Sequence, residues 1–119
     1  MTFLVEMEKV VNIKKISATS LKKMLSEGKD EFIAVFSTEW CGYCRSLMNE
    51  LCKSSFDFMI LEVDIVSDDD SAWDEFNIGT VPTAVLFRNG KELDRRSPEN
   101  DGLRVKSLKD LLEKNRAKK

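Results

Sequence analysis

Five apolar residues in unbroken succession, Phe32-Ile33-Ala34-Val35-Phe36, most restrict what this chain can fold into. A run so short and so continuous reads as a strand covered on both faces, inside a sheet with a helical layer on each side. The flanking patterns supply those layers. Residues 10–16 alternate as a strand. Ser17 or Thr19 can cap a helix through about Glu27, with Leu21, Met24 and Leu25 on one face and Gly28 as its stop. Residues 41–54 turn helical, with Leu47, Met48, Leu51 and Cys52 as the inner stripe. Residues 58–66 form a strand, apolar except for Glu62 and Asp64, which alternation puts on one face. A short helix capped within residues 67–70 follows, with Ala72, Trp73 and Phe76 as its contacts. Asn89-Gly90 joins the strands at 84–87 and 91–95 as a two-residue hairpin. Residues 105–114 close the chain as an amphipathic helix with Val105, Leu108, Leu111 and Leu112 inward. The order is β-α-β-α-β-α-β-β-α, an α/β fold with a mixed central sheet flanked by helices on both faces.

The totals fit one domain at residues 10–117 behind a leader at 1–9. At 119 residues, 42% hydrophobic and 34% charged, the chain can close a core. A net charge of −2 gives no basic surface for nucleic acid. There is no histidine, which removes imidazole catalysis, Cys–His proteolysis and every His-containing zinc site. No run approaches the roughly 20 apolar residues of a membrane helix, and the first ten lack the pattern of a secretory signal. The expectation is a soluble, cytoplasmic monomer. Met7, Met24, Met48 and Met59 are core candidates, and Asp68-Asp69-Asp70 reads as a solvated helix cap rather than a calcium loop.

Two of the three cysteines, Cys41 and Cys44, follow the apolar strand and open the second helix. Thiols so spaced in a first helical turn share a face, with Cβ atoms roughly 5–6 Å apart. A small adjustment reaches the roughly 3.5–4.5 Å that a disulfide needs. At Cys41 the unpaired N–H groups and the positive end of the helix dipole favour a thiolate, which makes a C-x-x-C cysteine reactive near neutral pH. The reading is dithiol–disulfide exchange. A static disulfide, or half of a zinc or iron–sulfur site, uses the same spacing. Zinc needs four ligands, and the third sulfur, Cys52, lies about 12 Å along the same helix from Cys44. Cys52 itself reads as a small buried helix residue.

With Trp40-Cys41-Gly42-Tyr43-Cys44, Val81-Pro82-Thr83 and Leu86-Phe87-Arg88-Asn89-Gly90-Lys91 at these spacings, residues 11 to 114 resemble the thioredoxin family. The resemblance implies a thioredoxin fold in which Cys41 is the exposed nucleophile and Cys44 the more buried resolving thiol. It implies a cis Val81–Pro82 peptide facing the pair, with the Val81 backbone open to an extended substrate segment. Trp40, Gly42 and Tyr43 would complete the contact surface. Implied partners are disulfide-bearing proteins and an electron donor, either a thioredoxin-reductase-type flavoprotein, a glutathione- or ferredoxin-linked donor, or another dithiol protein. No cofactor is implied.

This chain departs from the family at three places. Many members carry a buried Asp where this chain has Val35, and a Lys on the neighbouring strand where it has Glu62. The expectation is that Glu62 takes over proton transfer, its pKa raised by burial. Gly42-Tyr43 replaces the common Gly-Pro, which restores an N–H near the start of the helix and favours a more oxidising disulfide. Arg45 pushes the same way and Glu39 pushes back. The expected potential is about −270 to −200 mV. The polar segment 97–102 is longer than the family's glycine-containing turn. A disulfide isomerase or oxidase of the same fold, or a redox-inactive module that only binds a partner, stands as the alternative to a reductase.

Overall fold

The computed structural model describes residues 13–28, 30–54, 58–67, 70–98 and 102–116. The leader, the first three residues of the expected opening strand, Met7, Asp68 and Asp69 lie outside them. The elements are β1 (Ile13–Ser17), α1 (Ala18–Glu27), β2 (Glu31–Ser37), α2 (Gly42–Lys53), β3 (Ile60–Asp64), α3 (Ala72–Glu75), β4 (Thr83–Arg88), β5 (Lys91–Arg96) and α4 (Val105–Asn115). The five strands form one sheet in the order β1-β3-β2-β4-β5. β3 runs parallel to both β1 and β2, while β4 is antiparallel to β2 and to β5.

The unbroken apolar run is β2, the middle strand, and both of its faces are covered. Phe32, Ala34 and Phe36 join Leu61, Val63, Val85 and Phe87 against Leu21 of α1 and Ala72 of α3. Ile33 and Val35 join Ile60, Ala84 and Leu86 against Leu47 and Leu51 of α2 and Leu108 and Leu111 of α4. Each turn follows local chemistry. Ser17 accepts the Ser20 N–H at 3.1 Å as the α1 cap, and Gly28 ends that helix at φ 67°. Asn89 and Gly90 take φ 54° and 83°, the pair of left-handed conformations a two-residue hairpin needs. A Cβ on Gly90 would lie 2.5 Å from the Leu25 carbonyl oxygen, so glycine is also required by the approach of α1.

The expected cap of α3 within residues 67–70 is the Asp70 carboxylate, which accepts from Ala72 N–H at 2.9 Å and Val66 N–H at 3.2 Å. Two expectations need correction. Met59 is 42% exposed, because it sits one residue before β3 at the end of the sheet. Cys52 is exposed, not buried. Successive helix residues are about 100° apart, and with Cys44, Leu47 and Leu51 on the inner stripe Cys52 is turned a quarter of the circle away from Leu51.

Candidate active site

β2 ends at Ser37, and the next residues carry the chain into α2 at the carboxyl end of the parallel strands, where sites of open α/β sheets gather. Cys41 is the helix cap. Its N–H donates to Thr38 O at 3.3 Å, its carbonyl accepts from Arg45 N–H at 3.3 Å, and its Sγ accepts from Cys44 N–H at 3.0 Å. The third bond has direct chemical meaning, since an N–H aimed at sulfur stabilises a thiolate when the pair is reduced. Cys41 and Cys44 are joined as a disulfide, with Cα atoms 5.3 Å apart. Arg45, next in sequence to Cys44, donates to the Glu39 carbonyl at 2.8 Å.

Both cysteines are largely covered, at 8% exposure for Cys41 and 1% for Cys44. Cys41 is the more accessible of the two, as expected, but in the disulfide it is not open to solvent. The exposed surface belongs to its neighbours, Trp40 at 56% and Tyr43 at 68%. Thr83 pairs with Phe36 at the start of β4, which brings Val81 and Pro82 to the same end of the sheet as Cys41. The Val81–Pro82 peptide is cis. Thr83 Oγ1 donates to Thr80 O at 2.6 Å and closes that loop on itself.

Glu62 stands one strand away. In register it lies between Lys15 of β1 and Val35 of β2, so it occupies the α2 side of the sheet beside the position where the family's acid would be. Its carboxylate Oε2 accepts a bond from Ser37 Oγ at 3.0 Å. The structure thus pairs Glu62 with Ser37. Ser37 was not evident as a site residue from the sequence, because only strand register brings it to Glu62.

Gly102 is a second addition. It adopts φ 81°, and a Cβ there would lie 3.2 Å from Tyr43 Cδ1, so the end of the polar loop packs on the ring. From Tyr43 a groove of about 510 Å³ runs along α2 between Asn49, Lys53 and Arg104. Across Leu103 and Arg104 lies a smaller hollow of about 260 Å³, bordered by Arg96, Gly102 and Lys106. Glu50 clamps this wall. Arg104 donates to both its oxygens at 3.1 and 3.2 Å, and Val105 N–H adds a bond at 3.3 Å. The Arg104 bonds hold the Glu50 carboxyl below its ordinary value against the opposing effect of burial. Among the described residues no cluster of three or more metal-ligating side chains occurs, and no helix is long and apolar enough to cross a membrane.

Residues 12–114 match the Thioredoxin family model. The chain is 32% identical over 93 residues to thioredoxin H8 of Arabidopsis thaliana, covering 71% of this chain and 60% of that one. It is 30% identical over 98 residues to a thioredoxin of Mycoplasmoides gallisepticum, covering 77% of this chain and 90% of that relative. The chain spans 60% and 61% of the length of the first two curated relatives it matches. The crystal structure of Chlamydomonas reinhardtii thioredoxin f2 superposes with a TM-score of 0.71 over 90% of this chain and 99% of that one, at 21% identity, a likeness of fold alone. With the family match spanning nearly all of the described fold, and the cysteine pair capping α2 within it, the chain belongs to the thioredoxin family.

Proposed function

We propose that the chain is a thiol–disulfide oxidoreductase that reduces protein disulfides through Cys41 and Cys44. The observation that carries this is the Cys44 N–H on Cys41 Sγ at the cap of α2, in a pair that closes as a disulfide. The Cys41 thiolate attacks one sulfur of a substrate disulfide and expels the other as a thiolate, leaving a mixed disulfide. Cys44 then loses its proton and attacks Cys41 Sγ, and the second substrate sulfur leaves. Two electrons and two protons pass to the substrate, and a dithiol or reductase-type donor returns the pair to the reduced state. Trp40, Gly42, Tyr43 and the Val81–Pro82 segment form the contact surface. Both thiols come from one chain, so a monomer suffices. A reductant of this kind serves electron transport and redox homeostasis in a reducing compartment, the cytoplasm.

Glu62 is the proton acceptor for Cys44 in this reading. With Val35 in place of an acid, it is the carboxylate on the paired strand directly beside that position. Its test is the pH dependence of exchange in Glu62→Gln. A profile unchanged from wild type would refute the role of Glu62 and leave the cysteine mechanism standing. Turnover of a disulfide substrate that survived Cys41→Ser would refute the mechanism itself.

A further inference from the structure

We infer that Ser37 is a positioning residue for the resolving step, holding the Glu62 carboxylate by its hydroxyl on the α2 side of the sheet. The inference rests on the proton-acceptor reading of Glu62. Ser37 is 1% exposed, and the great majority of hydroxyls buried that deeply are hydrogen-bonded. This one donates to Glu62 Oε2 at 3.0 Å. The strand holding the hydroxyl is fixed, because Ser37 O accepts from Ile65 N–H at 2.8 Å, just beyond the last register pair of Ser37 with Asp64.

Geometry makes this bond more than a packing contact. Ser37 continues the Ile33 and Val35 face that α2 covers through Leu47 and Leu51, and Cys44 lies one turn before Leu47 on the same inner stripe. A glutamate side chain is rotamer-rich, and a bond to one oxygen confines it at the cost of a single hydroxyl. Ser37 holds the carboxylate by Oε2, and in this reading the same carboxylate takes the proton. In the balanced step, the Cys44 S–H proton goes to Glu62. The new thiolate bonds to Cys41 Sγ, the Cys41–substrate S–S bond breaks, and the substrate thiolate recovers the proton. Among the described residues this face of the sheet also carries Lys15 on β1, Asp64 on β3, Glu31 on β2, Arg88 on β4, and Asp94 and Arg96 on β5; α2 adds the two cysteines, and α4 presents Leu108 and Leu111.

The test is the single-turnover rate of mixed-disulfide resolution against pH in wild type, Ser37→Ala, Ser37→Thr, Glu62→Gln and Asp64→Asn. Ser37→Ala releases the carboxylate from its fixed place and slows resolution at neutral pH about three- to tenfold, the low end of a bond to a charged group that is partly screened. Ser37→Thr keeps the hydroxyl and retains the wild-type profile, and Asp64→Asn changes nothing. In a Glu62→Gln background the effect of Ser37→Ala vanishes, whereas a structural defect would slow both backgrounds equally. A Ser37→Ala profile superimposable on wild type, with Glu62→Gln still displaced, would overturn the role of Ser37 alone. Unchanged profiles in both would overturn the Glu62 reading and this inference with it.

Discussion

Val35→Asp returns a carboxyl to the position where many relatives carry one, and the structure sets its cost. Val35 is 0% exposed and belongs to the buried apolar cluster of Ile33, Leu47, Leu51, Ile60, Ala84 and Leu86. Losing the valine from that cluster costs about 1.5 kcal/mol. Desolvation lifts a carboxyl so placed by about 3 units above its ordinary value near 3.9, and each unit is worth about 1.4 kcal/mol. Glu62 in the neighbouring register position pushes the same way by like charge. The folded pKa is raised, so the titration penalty is absent below about pH 4, grows as pH rises, and is complete near pH 7. Urea unfolding should place the variant about 3 kcal/mol below wild type at pH 5 and about 5–6 kcal/mol below it at pH 8. A loss equal at the two pH values, or under about 1 kcal/mol at pH 8, would refute the reasoning that this pocket is dry. The same residue tests the chemistry. Val35→Asp added to Glu62→Gln should recover part of the lost resolution rate, and no recovery would mean that a carboxylate on this face is not the acceptor.

Cys44→Ala should accumulate a mixed disulfide between Cys41 and a disulfide substrate, visible as a mass shift that dithiothreitol removes, while Cys41→Ala accumulates none. Gly102→Ala forces a side chain into φ 81° with its Cβ 3.2 Å from Tyr43 Cδ1. It should cost about 1–2 kcal/mol in stability and raise KM for a protein disulfide more than it lowers kcat. Stability should fall on acidification. Glu50 is held low by Arg104 against burial, and Asp94 is held low despite burial by Asn115, Arg95 N–H, Arg96 and Lys114. A depressed carboxylate stabilises above its unfolded value and loses that contribution as pH falls through the lower folded value, so the decline begins near pH 4.5. Arg104→Met should flatten it in acid unfolding curves, and an unchanged slope would remove Glu50 from the explanation.

What could be read from the sequence was what depends on neighbours in the chain. Phe32 to Phe36 announced a central strand because burial on both faces leaves no polar position. Gly28, Asn89 and Gly90 announced their turns because their backbone angles are ones that few other residues accept. Cys41 was legible at the start of α2 because the helical pattern begins there, and the structure makes it the cap. Contacts between distant segments were not legible. Ser37 meets Glu62 across 25 positions, and Gly102 packs on Tyr43 from the far end of a polar loop. Cys52 was misplaced by counting apolar residues on α2 without following their angle around the axis. The cap of α3 was legible within residues 67–70, where Asp70 accepts from Ala72 N–H.

The most direct test of the account is the equilibrium potential of the Cys41–Cys44 pair against a glutathione buffer, read in Cys52→Ala so that the exposed third thiol adds no background. The account expects a reversible two-electron transition at about −270 to −200 mV. A pair that does not titrate reversibly, or a midpoint below about −290 mV, would contradict a thiolate stabilised at the cap of α2; a midpoint at or above about −180 mV would contradict the reductase direction and favour an isomerase or oxidase.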